Sequence, residues 1–237
     1  MKTCYDNRNS MVNTVGSLET KYWQREWIEL KKSLAITPEQ RSLLIGSLLG
    51  DGTMRRGEGA RNANYKVEHG LVQKSYVFWK YELLKSFVPT EPKLSYRYDP
   101  VKVKYPKSWW FRTIRHPLLT EIYNLWYVGD GYRTGRKIVP HNIEDDLTPL
   151  ALAIWIMDDG SYSRGTITIS TYSFTIDEIE LLCEALRKRY GIEFRYHRDR
   201  DKGYRMYSNQ SQTRLLIEAI APYIIPSMTY KIGFKTP

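Results

Sequence analysis

Two aspartates at matching places carry the chemistry this sequence offers. Asp159 ends the run Leu150-Ala151-Leu152-Ala153-Ile154-Trp155-Ile156-Met157-Asp158-Asp159-Gly160, in which eight apolar residues lead into two carboxylates and a glycine. Asp51 ends Leu43-Leu44-Ile45-Gly46-Ser47-Leu48-Leu49-Gly50-Asp51-Gly52, a segment of the same shape. With Asp51 laid on Asp159, an offset of 108 residues, the frames agree back to Leu44 and Leu152. Each segment is too short to cross a bilayer and reads as a helix buried nearly all round, ended by a glycine suited to the left-handed cap position. Each carboxylate then lies at a helix C-terminus, where the macrodipole is already negative. Packed side by side, the helices would bring the two acids together, and the acids repel unless positive charge lies between them. A hard divalent cation with oxygen ligands, Mg2+ or Mn2+ in its place, answers both penalties. At a phosphodiester, such an ion activates water and neutralises developing charge.

The elements that must position these acids recur in the same order. Thr37-Pro38-Glu39-Gln40 starts the first helix, with Thr37 as cap, Pro38 in the first position and Gln40 closing a capping box. After Gly52 the chain is basic and irregular, then alternates over Tyr65–His69 as a half-buried strand. Helical spacing returns over Ser75–Phe87. Leu94–Asp99 and Trp109–Arg115 read as strands and Pro117–Tyr127 as a helix. The second half repeats this: strands near Ser161–Ser163 and at Thr166–Ser170, a helix Ile176–Tyr190 capped by Thr175, strands Glu193–Arg198 and Gly203–Ser208, and a helix Gln210–Ala221. The fold class is α+β, with two pseudo-twofold αββαββα subdomains. Residues 1–36 form an N-terminal extension, 37–140 the first repeat, 141–147 a linker within the polar stretch from Pro140 to Thr148, and 148–237 the second repeat. A pseudo-twofold protein suits a double-helical partner whose strands are related by a twofold.

A formal charge of +10 and a pI of about 9.4 point to a polyanion, nucleic acid before membrane, since no segment is long and apolar enough to span. Cys4 and Cys183 are too few for a disulfide framework or zinc site and suggest a reducing compartment. His69, His116, His141 and His197 have no metal-binding spacing. Residues 1 to about 20 are polar and aperiodic, without a signal-peptide core. Lys21 to Ser33 reads as a basic amphipathic helix that could pack on the core or lie along a phosphate backbone. The 19 tyrosines and 7 tryptophans suit a core and not a stacking platform.

Leu44–Gly52 and Leu152–Gly160 resemble the paired signature helices of the LAGLIDADG homing endonucleases. Ser173-Phe174-Thr175 before an acidic helix, and Tyr230-Lys231 near the end, resemble the single-chain two-repeat members. The second copy departs at Ile154, where the family has a small residue, while Gly46 and Gly50 supply close approach from the other helix. The resemblance implies a monomer whose antiparallel sheets form a DNA-binding saddle, with the signature helices packed at the interface. It implies Asp51 and Asp159 as metal ligands, with the carbonyls of Gly50 and Asp158 as further ligands. The family frame aligns the Asp158 side chain with Gly50, which leaves it a supporting role. Lys137 and Lys231, at the two repeat ends, match the family's basic residues beside the site, where a lysine polarises water or stabilises phosphorane charge. The implied activity is cleavage of both strands of a long pseudo-symmetric DNA site, promoting intron mobility. The implied setting is intracellular: mitochondrion, plastid or prokaryotic cytoplasm. Intron RNA is the partner only if the chain is instead a maturase, and a non-catalytic DNA-binding protein is a third reading. Neither requires the acids and lysines that are present.

Recognition falls to the strands, because a sheet laid in the major groove turns every second side chain toward base edges. The polar faces are Lys66 and Glu68, Ser95 and Arg97 with Arg112, Thr166 and Thr168, Arg195 and His197, and Arg205 and Tyr207. Arg55, Arg56 and Arg61 suit phosphates, which set affinity and salt dependence but not sequence preference.

Overall fold

Thr37 and Thr148 each open a signature helix with proline in the first turn. Their hydroxyls cap the backbone N–H groups of Gln40 and Ala151, and Gln40 completes the expected capping box. The helices are α1 (Pro38–Leu49) and α5 (Pro149–Asp159). Leu43–Leu49 and Ala151–Asp158 are buried without a break, so neither helix has a solvent face. This computed structural model describes residues 28, 29, 31–98, 100, 101, 103–129 and 135–234. The chain parts into units 1–35 and 36–237. In the first unit, residues 28, 29 and 31–33 are helical, and the rest of the helix expected over 21–33 lies outside the described residues, as do the polar segment before it and Cys4.

After α1 come β1 (Thr53–Arg55), β2 (Asn64–Gly70), α2 (Lys74–Leu84), β3 (Lys93–Tyr98), β4 (Lys104–Arg112) and α3 (Pro117–Trp126). A two-residue pair, β5 (Tyr127–Val128) and β6 (Arg136–Lys137), and a short α4 (Ile143–Asp146) lead into α5. Then follow β7 (Gly160–Ser163), β8 (Thr166–Ser170), α6 (Ile176–Tyr190), β9 (Arg195–Arg198), β10 (Tyr204–Tyr207) and α7 (Gln210–Ile220). The two four-stranded antiparallel sheets have the same order, β1-β2-β4-β3 and β7-β8-β10-β9. That is the αββαββα repeat read from periodicity.

Three local readings differ. The strand placed at Trp109–Arg115 runs from Lys104 to Arg112. Pro106 hid its first half, and it is tolerated because it pairs with Tyr96 at a break in register after Ser95. The stretch called a linker holds α4, whose Asp146 accepts a two-pronged bond from Arg41 of α1 at 2.6 and 2.7 Å. Finally, Gly52 and Gly160 do not adopt the left-handed cap conformation, and Gly160 is extended at φ −74°, ψ 150°. Crowding selects glycine instead: a Cβ would stand 2.7 Å from Ser47 at Gly52 and 2.5 Å from the Ile156 carbonyl oxygen at Gly160.

Candidate active site

The site is built where α1 and α5 lie against each other. A Cβ at Gly46 would strike the Ala151 carbonyl oxygen and approach Ile154 Cβ to 2.9 Å. One at Gly50 would stand 2.5 Å from Asp158 Cβ. Branched Ile154 is accommodated because the residue facing it has no side chain, which is how the helices reach close contact despite the departure at that position. The contact carries Asp51 and Asp159 into one electrostatic neighbourhood. Asp159 is pushed up to about 7, first by burial and then by the charges of Asp51 and Asp158. Asp51 is also raised, by partial enclosure and then by Asp158, although its side chain is 49% exposed.

Two lysines stand at the ends of the signature helices. Lys137, on β6, donates to the Gly50 carbonyl at 2.9 Å. Lys231, in the 3-10 helix Pro226–Ile232, donates to the carbonyls of Asp158 at 3.2 Å and Gly160 at 2.9 Å. Cations on terminal carbonyls answer the helix dipole that made these ends unfavourable for acids. Burial holds both ammonium groups below the ordinary lysine range, against the pull of the nearby aspartates. The carbonyls of Gly50 and Asp158 are the lysines' acceptors in this structure.

The Asp158 side chain points the other way. Its carboxylate is fully buried under the first sheet, where Lys80 Nζ donates at 2.8 and 3.1 Å and Tyr76 Oη at 2.7 Å. Lys80 is itself completely buried and stands 3.3 Å from His69 Nε2. Burial, then the Lys80 charge, lowers the pKa of His69 to about 4, so its ring is neutral. Asp51, His69 and Asp158 bring ligand atoms within 4.8 Å of one another. The Lys80 ammonium already supplies the positive charge there, so this inner group is a lysine site. The outer pair, Asp51 and Asp159, fits a hard divalent cation: both present carboxylate oxygens, and both are raised in part by acidic neighbours, a repulsion a cation relieves.

Sequence reading missed His69, Tyr76 and Lys80. A signal was present in hindsight: Lys80 falls on the stripe Tyr76, Val77, Tyr81, Leu84 of α2, and His69 shares the inward parity of Tyr65 and Val67 in β2.

The strand faces alternate as expected in β2 and β8 but not in β3, where Leu94 and Ser95 are half-buried and Tyr96, Arg97 and Tyr98 are all exposed beyond the break in register. In the second sheet Ile167 and Ile169 are buried, leaving Thr166 and Thr168 on the open face. Register places Arg205 beside His197, and Tyr207 between Arg195 and Thr168. In the first sheet Lys66 pairs with Arg112, and Lys66 and Glu68 line a groove of about 460 Å³ with Asp51, Arg55, Lys107 and Ser108. Glu68 is held ionised by Lys66 and Ser108, both at 2.5 Å. Arg55 lies in β1, not in the loop expected, while Arg56 and Arg61 are exposed in the connection that follows. Arg97 is exposed on β3, and Arg205 is tied back to Tyr172 at 2.6 Å and Asp199 at 3.2 Å.

Fold and site together define a single-chain, two-repeat α+β protein whose paired acids and lysines converge between two similar sheets. Residues 41–216 match the LAGLIDADG DNA endonuclease family, and the chain belongs to that family. It is 31% identical over 199 residues to the cytochrome b mRNA maturase bI2 of Debaryomyces hansenii, covering 82% of this chain and 74% of that protein. It is 30% identical over 214 residues to the DNA endonuclease I-ChuI of Chlamydomonas applanata, covering 84% of this chain and 97% of that protein. The fold is similar to that of the homing endonuclease I-WcaI bound to its DNA recognition sequence, with TM-score 0.76, 22% identity and coverage of 87% of this chain and 92% of that one. Among the described residues no helix is long and apolar enough to cross a membrane.

Proposed function

We propose that this chain is a monomeric, site-specific homing endonuclease that hydrolyses both strands of a long, pseudo-symmetric DNA target and promotes mobility of an intron. The observation that carries this reading is the pairing of Asp51 and Asp159, each raised in part by acidic neighbours, beside Lys137 and Lys231 at the ends of two close-packed helices. Repeats over 37–140 and 148–237, joined by 141–147, present two sheets to two half-sites. Mg2+ is the cofactor, with Mn2+ able to replace it; bound by the two acids, it supplies a water of lowered pKa and charge neutralisation at the scissile phosphate. Asp51 and Asp159 hold that charge in place. Lys137 and Lys231 orient the helix-end carbonyls and set positive potential beside the attacked phosphate. Lys66, Glu68, Arg97, Arg112, Thr166, Thr168, Arg195, His197, Arg205 and Tyr207 face base edges, while Arg55, Arg56 and Arg61 hold phosphates. The setting is a mitochondrion, plastid or prokaryotic cytoplasm.

Likeness to a maturase favours a second reading, assistance to splicing of a host intron RNA. The acids and lysines weigh for the nuclease, because binding RNA requires none of them. The test is plasmid-library cleavage with Mg2+ by the protein, Asp51→Asn and Asp159→Asn. A defined double-strand break lost in both variants, with DNA binding retained, supports the nuclease. Binding without cleavage, together with accelerated intron splicing, overturns it.

A further inference from the structure

The pseudo-twofold is broken at its axis. Gly50 and Asp158 occupy matching places in the signature frame and face each other, and a Cβ at Gly50 would stand 2.5 Å from Asp158 Cβ and 2.9 Å from its Oδ2. The space holds one side chain, so Asp158 must enter one repeat or the other. It enters the first, where Lys80, Tyr76 and His69 receive it. Among the described residues the second repeat buries no lysine, tyrosine or histidine: the buried residues of α6 are Ile179, Leu182, Ala185 and Leu186, and those of β8 are Ile167 and Ile169.

Of the two site acids, only Asp51 therefore touches this buried group. The Asp51 backbone N–H donates to Asp158 Oδ2 at 3.3 Å, and Asp51 Oδ2 lies 3.5 Å from His69 Nδ1. Lys80 Nζ faces His69 Nε2 at 3.3 Å. An ammonium can only donate, so a charged Lys80 makes Nε2 the acceptor and assigns the ring proton to Nδ1, the nitrogen 3.5 Å from Asp51 Oδ2. The Asp159 carboxylate has no hydrogen-bond partner among the described residues. We propose that His69, fixed as its Nδ1–H tautomer by Lys80 and Asp158, is a positioning residue for Asp51, and that this one-sided support makes the two strand cleavages unequal.

The inference rests on the endonuclease reading, but its first test does not. In metal-free protein labelled with 15N-histidine, His69 is expected to show a protonated Nδ1 and an unprotonated Nε2, and Lys80→Met is expected to release that preference. A protonated Nε2 in the unsubstituted protein overturns the proposal whether or not the chain cuts DNA. Calcium binding by calorimetry should weaken about tenfold in His69→Leu, the scale of one lost polar contact, and recover in His69→Asn, whose amide can replace the Nδ1–H. The third readout is strand-resolved cleavage of a supercoiled target plasmid. His69→Leu is expected to slow one strand about tenfold so that nicked circles accumulate, with KM little changed, and His69→Asn to restore it. Equal slowing of both strands, or equal loss in the Leu and Asn variants, would mean a role in folding alone.

Discussion

Replacing Lys80 with methionine tests the reading of the buried cluster most directly. The substitution keeps the length of the side chain and removes its charge, leaving the Asp158 carboxylate with 0% side-chain exposure and no counter-ion. Stranding one member of a buried pair costs about 3–5 kcal/mol. Tyr76 Oη and the Asp51 N–H continue to donate to Asp158 at 2.7 and 3.3 Å, which puts the expected loss near the lower bound, about 3 kcal/mol. For a folded unit of this size that is a fall in Tm of roughly 6–12 °C. Lys80→Met combined with Asp158→Asn should regain most of the loss, because the amide oxygen still accepts from Tyr76 and no buried charge remains. The assay is urea denaturation of the two single variants and the double variant, read as a double-mutant cycle with an expected coupling of about 2 kcal/mol. A Lys80→Met loss below about 1 kcal/mol, or a double variant as unstable as the sum of the singles, would refute the claim that the ammonium neutralises Asp158.

Three further expectations follow from the site and the sheets. The pKa of Asp159 is raised from 3.8 to about 7 in the folded state, so the folded protein holds the extra proton between those values. Stability from this group is complete below pH 3.8 and lost as pH rises through 7. Metal-free Asp159→Asn should therefore be more stable than the unsubstituted chain at pH 8 by about 2 kcal/mol after allowance for partial exposure, and the Tm gain from Mg2+ should grow between pH 6 and 8 in the unsubstituted chain alone. Gly46→Ala should cost about 1–3 kcal/mol in denaturation, since its methyl must displace the Ala151 carbonyl, whereas alanine at exposed Gly70, which meets nothing within 4 Å, should cost far less. Alanine at Arg56 or Arg61 should lower the slope of log K against log salt by about 0.9 each, with sequence preference unchanged, in a DNA-binding titration.

The sequence by itself determined the elements and their repetition, because hydrophobic period, capping boxes and turn residues are local. Thr37 with Gln40 and Thr175 with Glu178 form the capping boxes that the spacing encodes, and the inward parity of Ile167 and Ile169 follows from strand pleat. Two Asp-Gly ends in one frame single out Asp51 and Asp159 as matching residues at the ends of the two helices. What only the tertiary structure decided is what crosses between elements. Gly52 and Gly160 are glycines because Ser47 and Ile156 leave no room, not because a turn demands a left-handed residue. Asp158 turns inward because Gly50 opposite it vacates the space and Lys80, distant in sequence, stands ready with a charge. The partnership among Asp158, Lys80 and His69 joins α5, α2 and β2, and no local pattern encodes a contact made only when one helix is laid against another.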